Sequence, residues 1–171
     1  MNVTIYPSRF ILDKNFLGSK DLTQRYLIAS WLSNEPIILD NIADNEDVES
    51  TLNFFKALKK EVIYTSKHSL YIKPSNKREI LPEITINVNK SKTTLFYLLP
   101  VALNCARKVT FIGDIEILKD ALLSYGRFKD DCNLSIQIKN DVLVCSGSIN
   151  LDYYECNNYE SSKLITVLII N

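Results

Sequence analysis

Glycine is scarce in this chain, at 4 of 171 residues. That scarcity argues against a glycine-rich phosphate loop, and neither G-x-G-x-x-G nor G-x-x-x-x-G-K-[ST] occurs. There is one histidine, and none of the four cysteines (Cys105, Cys132, Cys145, Cys156) forms a C-x-x-C pair. Zinc binding and a disulfide framework therefore have weak support, and the cysteines read as reduced thiols of a cytoplasmic protein. Net charge is also lacking, with 20 basic against 20 acidic residues. No global field draws the chain to nucleic acid or anionic lipid, so neither is an expected partner. The longest apolar stretch, Leu164 to Ile170, is far too short to span a bilayer. The N-terminus carries no signal-peptide-like apolar run.

What is present is a repeat. Leu22, Tyr26, Ala29 and Leu32 follow helical spacing and predict the inner stripe of a first helix. Pro36 to Leu39 reads as a short strand. Asn45, followed by Glu46, Asp47 and Glu49, opens a second helix with the stripe Val48, Leu52, Phe55 and Leu58. Two strands, Val62 to Thr65 and Ser69 to Lys73, follow around a short polar turn.

The pattern then restarts. Ile84 to Val88 is a strand, and Leu95, Leu98, Leu99 and Ala102 mark a helix. Val109 to Ile112 is a strand, and Ile115, Leu118, Leu122 and Tyr125 mark another helix, with Gly126 expected at C′. Strands Leu134–Ile138 and Asp141–Cys145 follow. Ile149 to Leu151 begins a third round, which leads to a helix at Ser161. Lys20 to Lys92 is a shift of 72, and Lys92 to Lys163 a shift of 71. The expected fold is α/β: β-α-β-α-β-β units, each burying its face against the next around a pseudo-threefold axis. Expected boundaries are 1–17 for an N-terminal hinge segment and 18–171 for the domain. The domain divides into units at 18–80 and 81–147 and a partial unit at 148–171.

Three Ser-Lys pairs open the first helix of each unit: Ser19-Lys20, Ser91-Lys92 and Ser162-Lys163. A helix start offers unpaired N–H groups and about half a positive charge. Hydroxyls add donors and each lysine adds a full charge. Arg25, a turn further on, offers the bidentate fork suited to phosphate or carboxylate. Three such ends facing one region would suit a small, heavily charged anion. The plainer reading is that serine caps each helix and the repeat merely copies the cap.

These residues resemble a known family. GSKDLTQRYLIASWL (Gly18–Leu32) is similar to the G-S-K-S-x-[ST]-x-R signature of enolpyruvylshikimate-phosphate synthases. DNIADNEDVESTLNFFKAL, SKTTLFYLLPVAL, VTFIGD and YESSKLITVLII resemble later family segments in the same order. The resemblance implies transfer of an enolpyruvyl group from phosphoenolpyruvate to shikimate 3-phosphate, without a cofactor. It implies Lys20 as a contact to both substrates, and Asp21, Arg25, Ser161 and Ser162 at shikimate-phosphate positions. Lys92 falls beside phosphoenolpyruvate, where the family has glycine. Lys163 replaces a glutamine, Asp21 a serine, and Phe96 an arginine. Lys92 and Lys163 either restore lost charge or fill the pocket.

The family chain is more than twice as long, and its acid/base carboxylate lies in the second half. The expectation is therefore a substrate-binding part, inactive alone, that needs a C-terminal domain or a partner to cover the third unit. The alternative is a binding or interaction module that keeps the fold and has lost the chemistry.

Overall fold

A computed structural model describes residues 18–74, 79–149 and 164–166. The described elements run α1 (Lys20–Leu32), β1 (Ile37–Asp40), α2 (Glu46–Ala57), β2 (Val62–Ser66), β3 (Ser69–Ile72), β4 (Leu81–Asn89), α3 (Lys92–Leu103), β5 (Ala106–Gly113), α4 (Ile115–Gly126), β6 (Leu134–Lys139) and β7 (Val142–Gly147). The second unit thus has the expected β-α-β-α-β-β order. In the first unit the corresponding leading strand would fall at 9–17, outside the described residues.

The sheets repeat as the 72-residue shift requires. One sheet is ordered β1-β3-β2, and the other β4-β5-β7-β6. Shifting β1, β2 and β3 by 72 superimposes them on β5, β6 and β7, and the spatial order is preserved. Strand β4 adds a parallel partner to β5, with Ile84 opposite Val109 and Ile86 opposite Phe111. The remaining pairings are antiparallel. Residues 164–166 are helical and Leu164 is buried, where the sequence places the first helix of a third unit.

Helices α1, α2 and α3 pack together, and α4 packs on α3 and its own sheet. All of Thr93 to Leu103 is buried, so α3 is the core helix. It contains Pro100, which has no N–H to offer the carbonyl four residues back. That carbonyl, on Phe96, instead accepts a 2.6 Å hydrogen bond from the Tyr125 hydroxyl on α4. Burial pushes the Tyr125 phenol far above its usual range, which keeps the donor proton in place. In the first unit Trp31, Phe54 and Phe55 pack edge to face, with centroids 5.4 to 6.4 Å apart.

The structure corrects three sequence expectations. The predicted inner stripe of α1 faces solvent: Leu22 is 50% exposed, Tyr26 56% and Leu32 37%. The buried face is Thr23, Gln24, Leu27, Ile28, Ser30 and Trp31, because its polar members find hydrogen-bond partners inside. Gly126 is the last residue of α4 rather than its C′ residue, and Arg127 follows as a right-handed cap. The left-handed C′ role belongs to Lys59, after α2, with φ 54°. There Lys60 N–H reaches the Phe55 carbonyl at 2.9 Å and closes the helix end. Strands β4 and β5 also run longer than expected, by several residues at their N-terminal ends.

Candidate functional site: paired helix starts

Ser19 caps α1 and accepts the Leu22 N–H at 3.5 Å. Ser91, 72 residues later, caps α3 and accepts the Thr94 N–H at 3.1 Å. Lys20 and Lys92 are therefore first helical residues at equivalent positions. Asp21 sits in the first turn of α1, exposed, where the helix dipole favours a carboxylate. It is not the N-cap, a role that Ser19 fills.

The approach of backbone at both starts is tight. A Cβ on Gly18 would lie 1.8 Å from the Asn41 carbonyl oxygen. In the second unit the glycine is on the opposite partner: a Cβ on Gly113 would lie 2.8 Å from the Asn89 oxygen. Asn41 and Gly113 are 72 apart, so both repeats keep the close approach and differ in which side supplies the space.

Each amine meets a carboxylate from the following helix. Lys20 Nζ lies 2.6 Å from Asp47 Oδ2 on α2, and Lys92 Nζ lies 2.7 Å from Asp120 Oδ2 on α4. The hydrogen bond to Asp47, helped by its charge, raises the Lys20 pKa above the ordinary lysine value. Lys92 Nζ also stands 5.5 Å from the centroid of the Phe96 ring. Arg25 Nε donates to the Tyr97 hydroxyl at 3.1 Å, which joins equivalent positions of α1 and α3.

A buried polar cluster ties these starts together. Gln24 Nε2 donates to Thr94 Oγ1 at 2.9 Å and to Thr51 Oγ1 at 3.1 Å. Thr94 Oγ1 donates to the Asp47 carbonyl at 3.0 Å and accepts from Ser91 Oγ at 2.7 Å. Asp47 thus touches both helix starts: its carboxylate holds Lys20 and its carbonyl receives Thr94. Gln24, Thr51 and Thr94 are fully buried.

Ser161, Ser162 and Lys163 lie outside the described residues. Sequence reasoning missed the carboxylates that hold the lysines. A signal existed, since Asp47 follows Lys20 by 27 residues and Asp120 follows Lys92 by 28. It also missed Tyr97 and the Gln24 cluster, whose partners are up to 72 residues apart.

A groove of about 360 Å³ runs beside Gly18 and Ser19 between α1 and β1, bordered by Leu22, Tyr26 and Ile38. A larger cleft of about 540 Å³ lies along α2 and β2, and neither Lys20 nor Lys92 lines it. Among the described residues no group of three His, Cys, Asp or Glu is placed to hold a metal ion. No helix among them is long and apolar enough to cross a membrane. The paired starts offer cations, hydroxyls and helix N–H groups, the chemistry of anion binding.

Solved chains share this architecture. EPSP synthase from Acinetobacter baumannii matches with a TM-score of 0.69 at 14% identity, over 90% of this chain and 36% of that one. A second structure of that synthase matches at 0.66 and 15% identity. The repeated helix-and-sheet units thus define one part of an EPSP-synthase-like α/β domain. The family model for EPSP synthase (3-phosphoshikimate 1-carboxyvinyltransferase) matches residues 15–119, and the chain belongs to that family. A 3-phosphoshikimate 1-carboxyvinyltransferase of Clostridioides difficile is 29% identical, over 98% of this chain and 41% of its own length. That of Clostridium novyi is 28% identical with the same coverages. A UDP-N-acetylglucosamine 1-carboxyvinyltransferase of Ruthia magnifica is 28% identical over 76% of this chain. The chain therefore spans about two-fifths of the length of the shikimate-type relatives it matches.

Proposed function

We propose that this chain is the anion-binding N-terminal part of a 3-phosphoshikimate 1-carboxyvinyltransferase of aromatic amino acid biosynthesis, working in the cytoplasm without a cofactor. One observation carries the reading. In a chain of this family, Ser19-Lys20 and Ser91-Lys92 open equivalent helices, and Asp47 links the two starts by holding Lys20 with its carboxylate and accepting from Thr94 with its carbonyl, while Lys92 pairs with Asp120. Lys20 would contact both shikimate 3-phosphate and phosphoenolpyruvate, and Arg25 and Asp21 would lie beside the shikimate phosphate. Lys92 would serve phosphoenolpyruvate, and Ser161, Ser162 and Lys163 would complete the ring of donors from the third unit. Residues 1–17 would form the hinge to a second domain, with units at 18–80, 81–147 and from 148 onward.

The transfer proceeds by protonation of phosphoenolpyruvate, attack by the shikimate hydroxyl, and loss of phosphate. This part contributes binding charge, and the acid/base groups come from the remaining polypeptide. Calorimetric titration with shikimate 3-phosphate tests the reading. Binding by the wild-type chain that is lost in Lys20→Ala supports it, and no heat at millimolar ligand rejects it. Turnover by the 171 residues alone contradicts the division of labour.

A second reading, a binding module without the chemistry, is favoured by one feature. Phe96, where the family has arginine, is 2% exposed and packs on Tyr125. No charge reaches the site from that position.

A further inference from the structure

Both lysines at the paired helix starts are already engaged by carboxylates of this chain. In the second unit the arrangement is the more unusual. Lys92 reaches one turn along α3 to stand over the Phe96 ring, so a positive charge lies 5.5 Å from the ring centroid of the residue that replaced the family's arginine. Its amine is also held by Asp120, at 2.7 Å. Lysine and aspartate are each about half exposed, so the pair is accessible to a solute. The first unit repeats the plan, with Lys20 on Asp47.

We infer that Asp120 is a resident counter-anion of this site: it positions Lys92 over Phe96, and an incoming anion takes the amine only by exchanging with the Asp120 carboxylate. This rests on the reading of Lys92 as a substrate-anion contact and adds a residue that sets anion affinity there. Every incoming anion meets the same cost of displacing the carboxylate, so Asp120 lowers anion affinity at this amine. A phosphate dianion, with more charge and several acceptor oxygens, competes best. Phe96 contributes the ring face that keeps the amine near the helix start when the carboxylate lets go. Asp120 is a positioning residue, not a catalytic one.

The test uses the whole chain and inorganic phosphate as the probe, followed by the ¹⁵N signal of the Lys92 ε-amine and by calorimetry. Asp120→Asn, with Asp120→Ala as a second variant, is expected to shift the Lys92 signal in the ligand-free protein. It should tighten phosphate binding by up to about fivefold, the most an exposed ion pair supplies. Chloride should gain no more than phosphate, because the removed carboxylate repels a dianion at least as strongly as a monoanion. Glu83→Gln, which breaks the exposed Lys108–Glu83 pair, should change neither readout. Unchanged or weaker phosphate binding in both Asp120 variants overturns the inference. Lys92→Gln separates the two levels of reading. If phosphate leaves the wild-type Lys92 signal unmoved and its affinity is unchanged in Lys92→Gln, Lys92 is not an anion contact and the functional reading of that residue fails. If Lys92→Gln abolishes binding while the Asp120 variants do not tighten it, only the counter-anion role fails.

Discussion

The two repeats share strand order, helix caps and ion pairs, yet they are buried very differently. On α3, Leu98 is fully buried and Val101 is 3% exposed; their equivalents on α1, Tyr26 and Ala29, face solvent. On the strands, Val109 and Phe111 are fully buried, whereas Ile37 and Leu39 are half-buried. The helix and strand patterns differ little between the repeats. What differs is the neighbours. Strand β5 has β4 beside it, and α3 is surrounded by α1, α2 and α4. Among the described residues β1 has only β3, and α1 has only α2 and α3 as closely packed elements. A repeat of this kind therefore fixes each unit's local form, while the burial of any one unit depends on the units around it.

The largest test of that contrast compares equivalent helix positions. Leu98→Ala should destabilise by about 2–5 kcal/mol in denaturant unfolding, because it opens a cavity. Tyr26→Ala should change stability by less than about 0.5 kcal/mol, as exposed substitutions do. Equal losses would mean that α1 is covered in solution.

Next comes the proline device found only in the second unit. Tyr125→Phe leaves the Phe96 carbonyl buried without a partner and should cost about 1–3 kcal/mol. Adding Pro100→Ala restores a backbone N–H to that carbonyl, so the double variant should recover part of the loss. A double-mutant cycle reads this directly, and strict additivity would exclude the coupling.

The caps should differ for the same reason of burial. Ser91 is 3% exposed and bonded both to the Thr94 N–H and to its hydroxyl, whereas Ser19 is exposed with a 3.5 Å bond. Ser91→Ala should cost about 1–2 kcal/mol and Ser19→Ala about 0.5 kcal/mol by thermal unfolding.

The smallest expected effect is that of the Lys20–Asp47 pair. The Lys20 pKa is raised in the folded state, so its contribution is complete below the ordinary lysine value of 10.5 and is lost as pH rises through the higher folded value. Lys20 is nearly half exposed, which limits the contribution to below about 1 kcal/mol. The stability difference between wild type and Lys20→Met should shrink as pH passes that range. A difference that persists at higher pH would point to packing rather than charge.

Much of this was legible from local chemistry. The 72-residue offset, the serine caps and the paired terminal strands of each unit follow from periodicity and from residues within one turn of each other. The α1 stripe was misread because a hydrophobic pattern cannot see that Gln24 will find Thr51 and Thr94, 27 and 70 residues away. The face that holds Gln24 also carries Leu27, Ile28 and Trp31, and burying it leaves Leu22 and Tyr26 outside. The two hairpins show the same limit. Asn140 and Asp141 take φ values of 50° and 59°, as such residues readily do, and make a regular two-residue turn. Lys67 and His68 do not take positive φ, and the register of β2 against β3 shifts between Tyr64 and Ser66.

The sequence by itself determined where helices begin, where the strands fall within a unit, and that a unit is copied, because each depends on residues close along the chain. Only the tertiary structure decided which face of α1 is buried, which carboxylate holds each lysine, and how Asp47 joins two helix starts. Those outcomes depend on side chains brought together from distant segments, where hydrogen-bond geometry and burial, rather than local preference, select the partner.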